Sequence, residues 1–584
     1  MRETGTTARV RGCLVFFSAV LLLSAGAHGE KSASPAQRTT SLGAVVGNDD
    51  AASNGTYSWK GIPYAKPPIG ALRWKAPVDA TTWKSPRLTQ QFGNACASLG
   101  RLYGPGFNNR YDATIGASLE KLVGSEDCLY LNIWRPATPT RKLPVIVFVH
   151  GGSNITGYTA DPLYDGAMLA KTANAVVVTV NYRLGVLGFF RSRHLRTGDP
   201  QEDSGNFALL DIIKSLQFVN RNIASFGGDA GNVTLMGESA GAVNVYALMT
   251  SPLVFKAQPS LVHRVLPMSG GISRAGDLPP GAFPVLYPAP LFETQANALL
   301  TQLLIADGLA TDAATAQAYV ASHKADEIAS YLRGKSADVV LSTVLAKLKP
   351  VGLSGSNPVP DGHVLPESPI DAIKAGQYLG VPVMAGNTRD EGKLFPALLA
   401  LSPALGGVSG RLLSDEEIFS ISFSYDPDAV PATKVEQWIP AAYLPIEKPG
   451  TGYNARMDVL NNYWFKPLRD SVLGALKTQQ ENVWYYSFEW DREPPPFNEI
   501  FGAAHAFDLP FAFGNFGPQI WHNFMFTRAN RPGRSALSDA MMRSIGAFAR
   551  NGDPNDASLG VTWPTWPNTL VFDATETAKA IRVR

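Results

Sequence analysis

Cysteine is almost missing from this chain, with three in 584 residues. That scarcity excludes a small disulfide-stapled scaffold and any cysteine-rich metal module. No HExxH, no CxxC and no cluster of aspartates occurs, so no metal is expected. A phosphate loop of the GK[ST] type is absent as well, and no cofactor is expected. Charge is scarce: charged residues are 17%, the formal net charge is +2, and no long basic block is present. Nucleic acid is therefore not an expected partner. Beyond the N-terminus no apolar run has the length of a membrane span.

What is present begins at the N-terminus. Arg2, Arg9 and Arg11 precede CLVFFSAVLLLSAGA, and small residues follow at Ala25, Ala27 and Gly29. That order describes a secretory signal peptide over residues 1–29, too short to anchor in roughly 30 Å of hydrocarbon. A secreted or periplasmic protein is the expectation. Cys13 leaves with that segment, so Cys96 and Cys128 remain as an even pair in an exported chain, and a disulfide is the default. Closing that loop contributes roughly 3–4 kcal/mol in the chain-entropy model.

Length alone suggests several domains, yet no repeat and no Gly/Ser- or Pro-rich linker divides residues 30–584. One large α/β domain is expected. LPVIVFVHGG (143–152), NAVVVTVNYR (174–183), NVTLMG (232–237), HRVLPMSGG (263–271), VPVMAGNTRDEG (381–392) and NVWYYSFEW (482–490) are near-continuous apolar runs. Strands covered on both faces of a sheet read that way. FALLDIIKSLQFVNRNI carries helical spacing between the second and third runs, so strand, helix, strand implies a mostly parallel sheet with crossover helices. Residues 280–350 are Ala/Leu-rich and helical in period, which predicts a helical insertion over the active-site end of the sheet.

One stretch points to chemistry. In NVTLMGESAGAVNVYALM, a strand-forming run stops at Gly237-Glu-Ser239-Ala-Gly241 and restarts as a helix. Gly-x-Ser-x-Gly is a weak signal alone, but here it occurs once and in the strand-to-helix context that exposes a serine hydroxyl. Serine needs a base to take its proton. The partners of such a serine follow in the order acid, then histidine. Only His505 and His522 lie late enough in the chain, and His505, in the Gly/Ala-flanked FGAAHAFDLPFAFG, is favoured over His522 among its aromatics. Asp390 and Glu391 follow a buried strand, and residue chemistry alone does not separate them. HGGSN, from His150 to Asn154, follows another buried strand and offers backbone N–H groups to a developing oxyanion, with Ala240 as the remaining donor.

Taken in order, YSWKGIPYAKPPIGALRWKAP, SEDCLYLNIW, FVHGG, NYRLGVLGFF, GNFALLD, FGGDAGNVTLMGESAG, TRDEG and HAFDLPFAFG resemble the type-B carboxylesterases, the cholinesterase-like branch of the α/β-hydrolase fold. The resemblance runs from Tyr57 to the C-terminal WPTWPNTLVFD. It implies Ser239 as nucleophile, His505 as base and Glu391 rather than Asp390 as acid. It implies Gly151, Gly152, Ser153 and Ala240 as the oxyanion hole, Ser269 as support for the acid, and a Cys96–Cys128 disulfide. Arg73 and Glu126 match a structural ion pair. Ser153 stands where many relatives carry a third glycine, so its side chain is expected to alter the donor geometry or narrow the acyl side. Ser118 stands where cholinesterases place a tryptophan, which disfavours choline esters, although Tyr103, Phe107 and Tyr111 lie nearby in sequence. The expected partner is a small-molecule ester. A non-catalytic binding or adhesion protein, and a lipase or amidase with the same triad, are the competing readings.

Overall fold

The computed structural model describes residues 35–401 and 406–584. The segment assigned to a signal peptide lies outside the described residues. From Ala36 to Arg584 the chain forms one compact unit.

An eleven-stranded sheet runs through it. Seven central strands are mutually parallel in the order Leu570–Phe572, Val483–Phe488, Val383–Thr388, Arg264–Met268, Gly228–Glu238, Leu143–Val149, Val176–Val180. The antiparallel strands Tyr130–Pro136, Thr56–Pro63 and Asn48–Asp50 extend one side, and Arg582–Val583 closes the other. The six apolar runs of the sequence are six of these seven strands, all but Leu570–Phe572, because both faces are covered. Along Leu143–Val149, Val145, Val147 and Val149 join one buried cluster while Ile146 and Phe148 join the other. Side chains alternate at every step of a strand, so a strand apolar at each position needs a core on each side. Helices Phe207–Asn222 and Ala240–Thr250 belong to the first cluster; Ala167–Ala173 and Arg531–Asn551 belong to the second.

The strand order positions the site. From Leu143–Val149 the chain passes to Val176–Val180 on one side, then returns through Phe207–Asn222 to Gly228–Glu238 on the other. Where successive crossovers leave a strand in opposite directions, a crevice opens beyond the carboxyl ends. That crevice lies between residues 150–154 and Ser239, whose strands pair with Gly237 opposite Val149.

Three braces fix the surrounding loops. Cys96 and Cys128 are disulfide-bonded. Arg183 makes a buried two-pronged ion pair with Asp211, at 2.8 and 2.7 Å, and its own N–H donates to the same carboxylate. Arg73 Nε donates to Glu126 at 2.6 Å.

Residues 289–343 hold four helices: Ala289–Ala306, Ala313–Ser322, Ala325–Gly334 and Ala337–Thr343, the last continued by one π turn over Val344–Leu348. The helical period of AATAQAYVASHKADEIASYL runs through without interruption, but the chain breaks at His323. There Glu327 accepts from Lys324 N at 2.7 Å and starts a new helix.

Candidate active site

Ser239 occupies the one-residue turn between its strand and helix, with φ 57° and ψ −123°. A non-glycine residue in that region costs about 1–3 kcal/mol and persists only when its surroundings enforce it. Here they do. Ser239 N donates to Met268 O at 2.8 Å, and the helix that follows is buried along its whole length. The flanking glycines answer a packing demand: a Cβ on Gly237 would lie 2.5 Å from Gly241 O, and one on Gly241 would lie 2.1 Å from Val149 O. No side chain fits, and the serine is held half-buried at the crevice.

The facing loop is equally constrained. A Cβ on Gly151 would lie 2.9 Å from Ser239 Cβ, so the two residues abut. No described group accepts from the N–H of Gly151 or Gly152, and Ala240, as the first residue of its helix, has no intrahelical acceptor. His150 anchors the loop from below. Its ring stacks on Tyr182 at 4.6 Å, Nδ1 is 2.9 Å from Gly151 O, and burial lowers its pKa to about 4. It is therefore neutral near pH 7. Asn154 Oδ1 accepts from Asn244 at 2.9 Å, tying the loop to the serine's helix. Ser153 takes the left-handed φ of 54° that a glycine would take, with an exposed side chain, and its carbonyl accepts from Ser356 Oγ at 3.0 Å.

Glu391 and His505, 114 residues apart, meet through Nδ1 and Oε2. Glu391 also accepts from Asn387 Nδ2 at 2.8 Å and Thr388 N at 3.0 Å. Burial opposes its ionisation, yet His505 and the hydrogen bond from Asn387 hold its pKa below the usual carboxylate value, while Ser269 Oγ makes no hydrogen bond among the described residues. Phe395 and Phe465 pack on the imidazole at 5.0 and 5.2 Å and keep the pair out of water. Nε2 has no hydrogen-bond partner among the described residues, and Glu238, the residue before Ser239, stands 3.1 Å from it. The ring edge thus reaches the serine's strand end.

Glu238 is a buried carboxyl beside the imidazole that motif reading passes over, because its position is the variable one in Gly-x-Ser-x-Gly. Its carboxyl is fully buried, and burial raises its pKa to about 8 against the pull of His505. Burial in turn pushes His505 down, but Glu238 and Glu391 outweigh it and raise the imidazole to about 9. Asp508 is the other missed carboxyl: burial raises it to about 7, and it accepts from Tyr486 at 2.8 Å.

Asp390 has different work from its neighbour. Its N–H donates to Ala503 O at 2.9 Å and its carboxylate accepts from Ala503 N at 3.0 Å. This laces the Glu391 turn to the loop that carries His505. His522 lies in the short helix His522–Met525 with its ring against Phe526. Ser118 is buried and donates to Ile115 O at 2.8 Å, while Tyr103 packs on Trp521 at 5.3 Å. Among the described residues no group of His, Cys, Asp and Glu forms a metal cage.

A parallel sheet crossed by helices, with a strained serine at its switch point and a His–Glu pair beside it, defines an α/β-hydrolase. Residues 34–581 match the model of the carboxylesterase family. The chain is 30% identical over 548 residues to para-nitrobenzyl esterase of Bacillus subtilis, covering 92% of this chain and 94% of that one. It is 34% identical over 541 residues to fumonisin B1 esterase of Sphingopyxis macrogoltabida, covering 90% and 84%. A solved PNB esterase superposes with a TM-score of 0.68 at 28% identity, covering 94% and 97%. The chain belongs to the carboxylesterase family, and it is a carboxylic-ester hydrolase of the α/β-hydrolase fold.

Proposed function

We propose that the protein hydrolyses small-molecule carboxylic esters through an acyl-enzyme on Ser239. What supports this is that Gly151 abuts Ser239, that the N–H groups of Gly151 and Gly152 have no acceptor among the described residues, and that the His505 ring, backed by Glu391, stands 3.1 Å from Glu238, the residue before Ser239. His505 Nε2 takes the Ser239 proton as Oγ attacks the carbonyl carbon. Glu391 holds the imidazole by Nδ1 and stabilises the imidazolium that forms. Gly151, Gly152 and Ala240 donate to the tetrahedral oxyanion, and Ser153 holds the loop's turn. His505 returns its proton to the leaving alcohol, and water repeats the sequence on the acyl-enzyme.

Residues 30–584 are then one catalytic domain with a helical insertion, exported by the N-terminal segment and braced by its disulfide in an oxidising compartment. A fluorophosphonate probe tests both readings in one mass spectrum. The expected result is a single adduct on Ser239 in a chain whose N-terminus has been trimmed near Gly29. No adduct at Ser239 refutes the nucleophile, and a secreted-fraction chain still beginning at Met1 refutes the export reading.

The carboxyl beside Nε2 sets an expected pH dependence. The base must be neutral to accept a proton, so kcat/KM rises with pH through the imidazole's titration. Glu238 raises that pKa, so Glu238→Gln moves the acidic limb of the kcat/KM profile to lower pH, by about one unit. An unmoved or upward-shifted limb rejects the assignment of Glu238 as the group that tunes His505.

A further inference from the structure

Beside the oxyanion loop lies an open cleft of about 120 Å³. Its walls are apolar: Ile155 from that loop, Val186 beyond the Val176–Val180 strand, and Leu341 and Val344 from the helical insertion. Gly185 and Ser354 keep it open, since the direction a Cβ on Gly185 would take meets nothing nearer than Leu341 at 3.8 Å. The Val344 wall is the π turn, a local unwinding found often at functional sites. The cleft and the oxyanion loop are mechanically continuous. Gly185 N donates to Asn154 O at 2.6 Å, and Ser356, two residues from Ser354, donates to Ser153 O at 3.0 Å.

Two cations complete the lining. Arg101 comes from the segment after the disulfide-bonded Cys96, and Lys349 from the end of the helical insertion. Neither forms an ion pair with any described residue, and no carboxylate lines the cleft. An apolar cleft that has Ile155, the residue after the oxyanion loop, in its wall and two cations without a carboxylate partner in its lining is complementary to a group that is apolar along its length and anionic at its end. A guanidinium suits a carboxylate in particular, because its planar fork matches both oxygens.

We propose that this cleft seats the acyl part of the substrate and that the preferred acyl group is an aliphatic chain ending in a carboxylate, as in the half-ester of a dicarboxylic acid. This rests on the hydrolase reading above and adds its substrate class. Hydrolysis of such a half-ester releases a free dicarboxylic acid and an alcohol.

The test compares para-nitrophenyl half-esters of adipic and suberic acid with para-nitrophenyl hexanoate and octanoate at low ionic strength. Lys349→Gln and Arg101→Gln are each expected to reduce the half-ester to neutral-ester ratio of kcat/KM about threefold, and the double variant about tenfold. Added salt should reduce the same ratio in the wild type. Val344→Trp, which fills the cleft, should slow both octanoate and the suberate half-ester while sparing para-nitrophenyl acetate. An unchanged ratio in the double variant overturns the anionic preference, and undiminished octanoate turnover in Val344→Trp overturns the acyl seat. If the wild type hydrolyses none of the esters, the hydrolase reading fails instead, so the two failures are distinguishable.

Discussion

Ser239→Ala is expected to lower kcat for an aryl ester by at least about 10⁴-fold with little change in KM. The hydroxyl makes no binding contact that a methyl group lacks until the covalent bond forms, so the loss falls on the transition state. The strained turn survives the change, since its φ is enforced by the Met268 hydrogen bond and the buried helix rather than by the hydroxyl. His505→Ala should cost about as much, and the double variant little more than either, because a nucleophile and its base act as one unit. Residual activity is expected from the oxyanion donors alone. Near-normal turnover in Ser239→Ala, with the fold intact by circular dichroism, removes Ser239 from the mechanism.

The second large effect is expected at Gly151. A methyl group there would lie 2.8 Å from Glu238 O and 2.9 Å from Ser239 Cβ, closer than real Cβ contacts permit. The loop must retreat from the serine, and its amides retreat with it. Losing one well-aimed donor costs about 10²–10³ in kcat, and Gly151→Ala should fall in that range. Melting temperature measures any wider disturbance. A kcat within threefold of wild type shows that the amides are not the oxyanion donors.

The contrast between Asp390 and Glu391 marks how far sequence reasoning reaches. Both follow the same buried strand, and residue chemistry left them equivalent; only family resemblance favoured Glu391. In the structure the 3-10 turn that begins at Glu391 sends one carboxylate inward to His505 and the other along the surface to Arg389 and Ala503. Direction of a side chain on a tight turn depends on backbone dihedrals that no composition encodes. Glu238 is a similar case. Its neighbour's role was legible from the glycine spacing, but its own depends on an imidazole arriving from 267 residues further along the chain. The break at His323 was hidden for a local reason, because helical period continues across a residue that a capping carboxylate can interrupt.

The sequence by itself determined six central strands, their mostly parallel arrangement with crossover helices, the serine turn and the loop of HGGSN, since apolar continuity and glycine spacing are local properties of the chain. Only the tertiary structure decided which carboxyl faces His505 Nδ1, that Glu238 stands 3.1 Å from Nε2, and that Arg101 and Lys349 line one apolar cleft. Those outcomes rest on distances between segments far apart in the chain, and such distances are set by how the two cores close on the sheet.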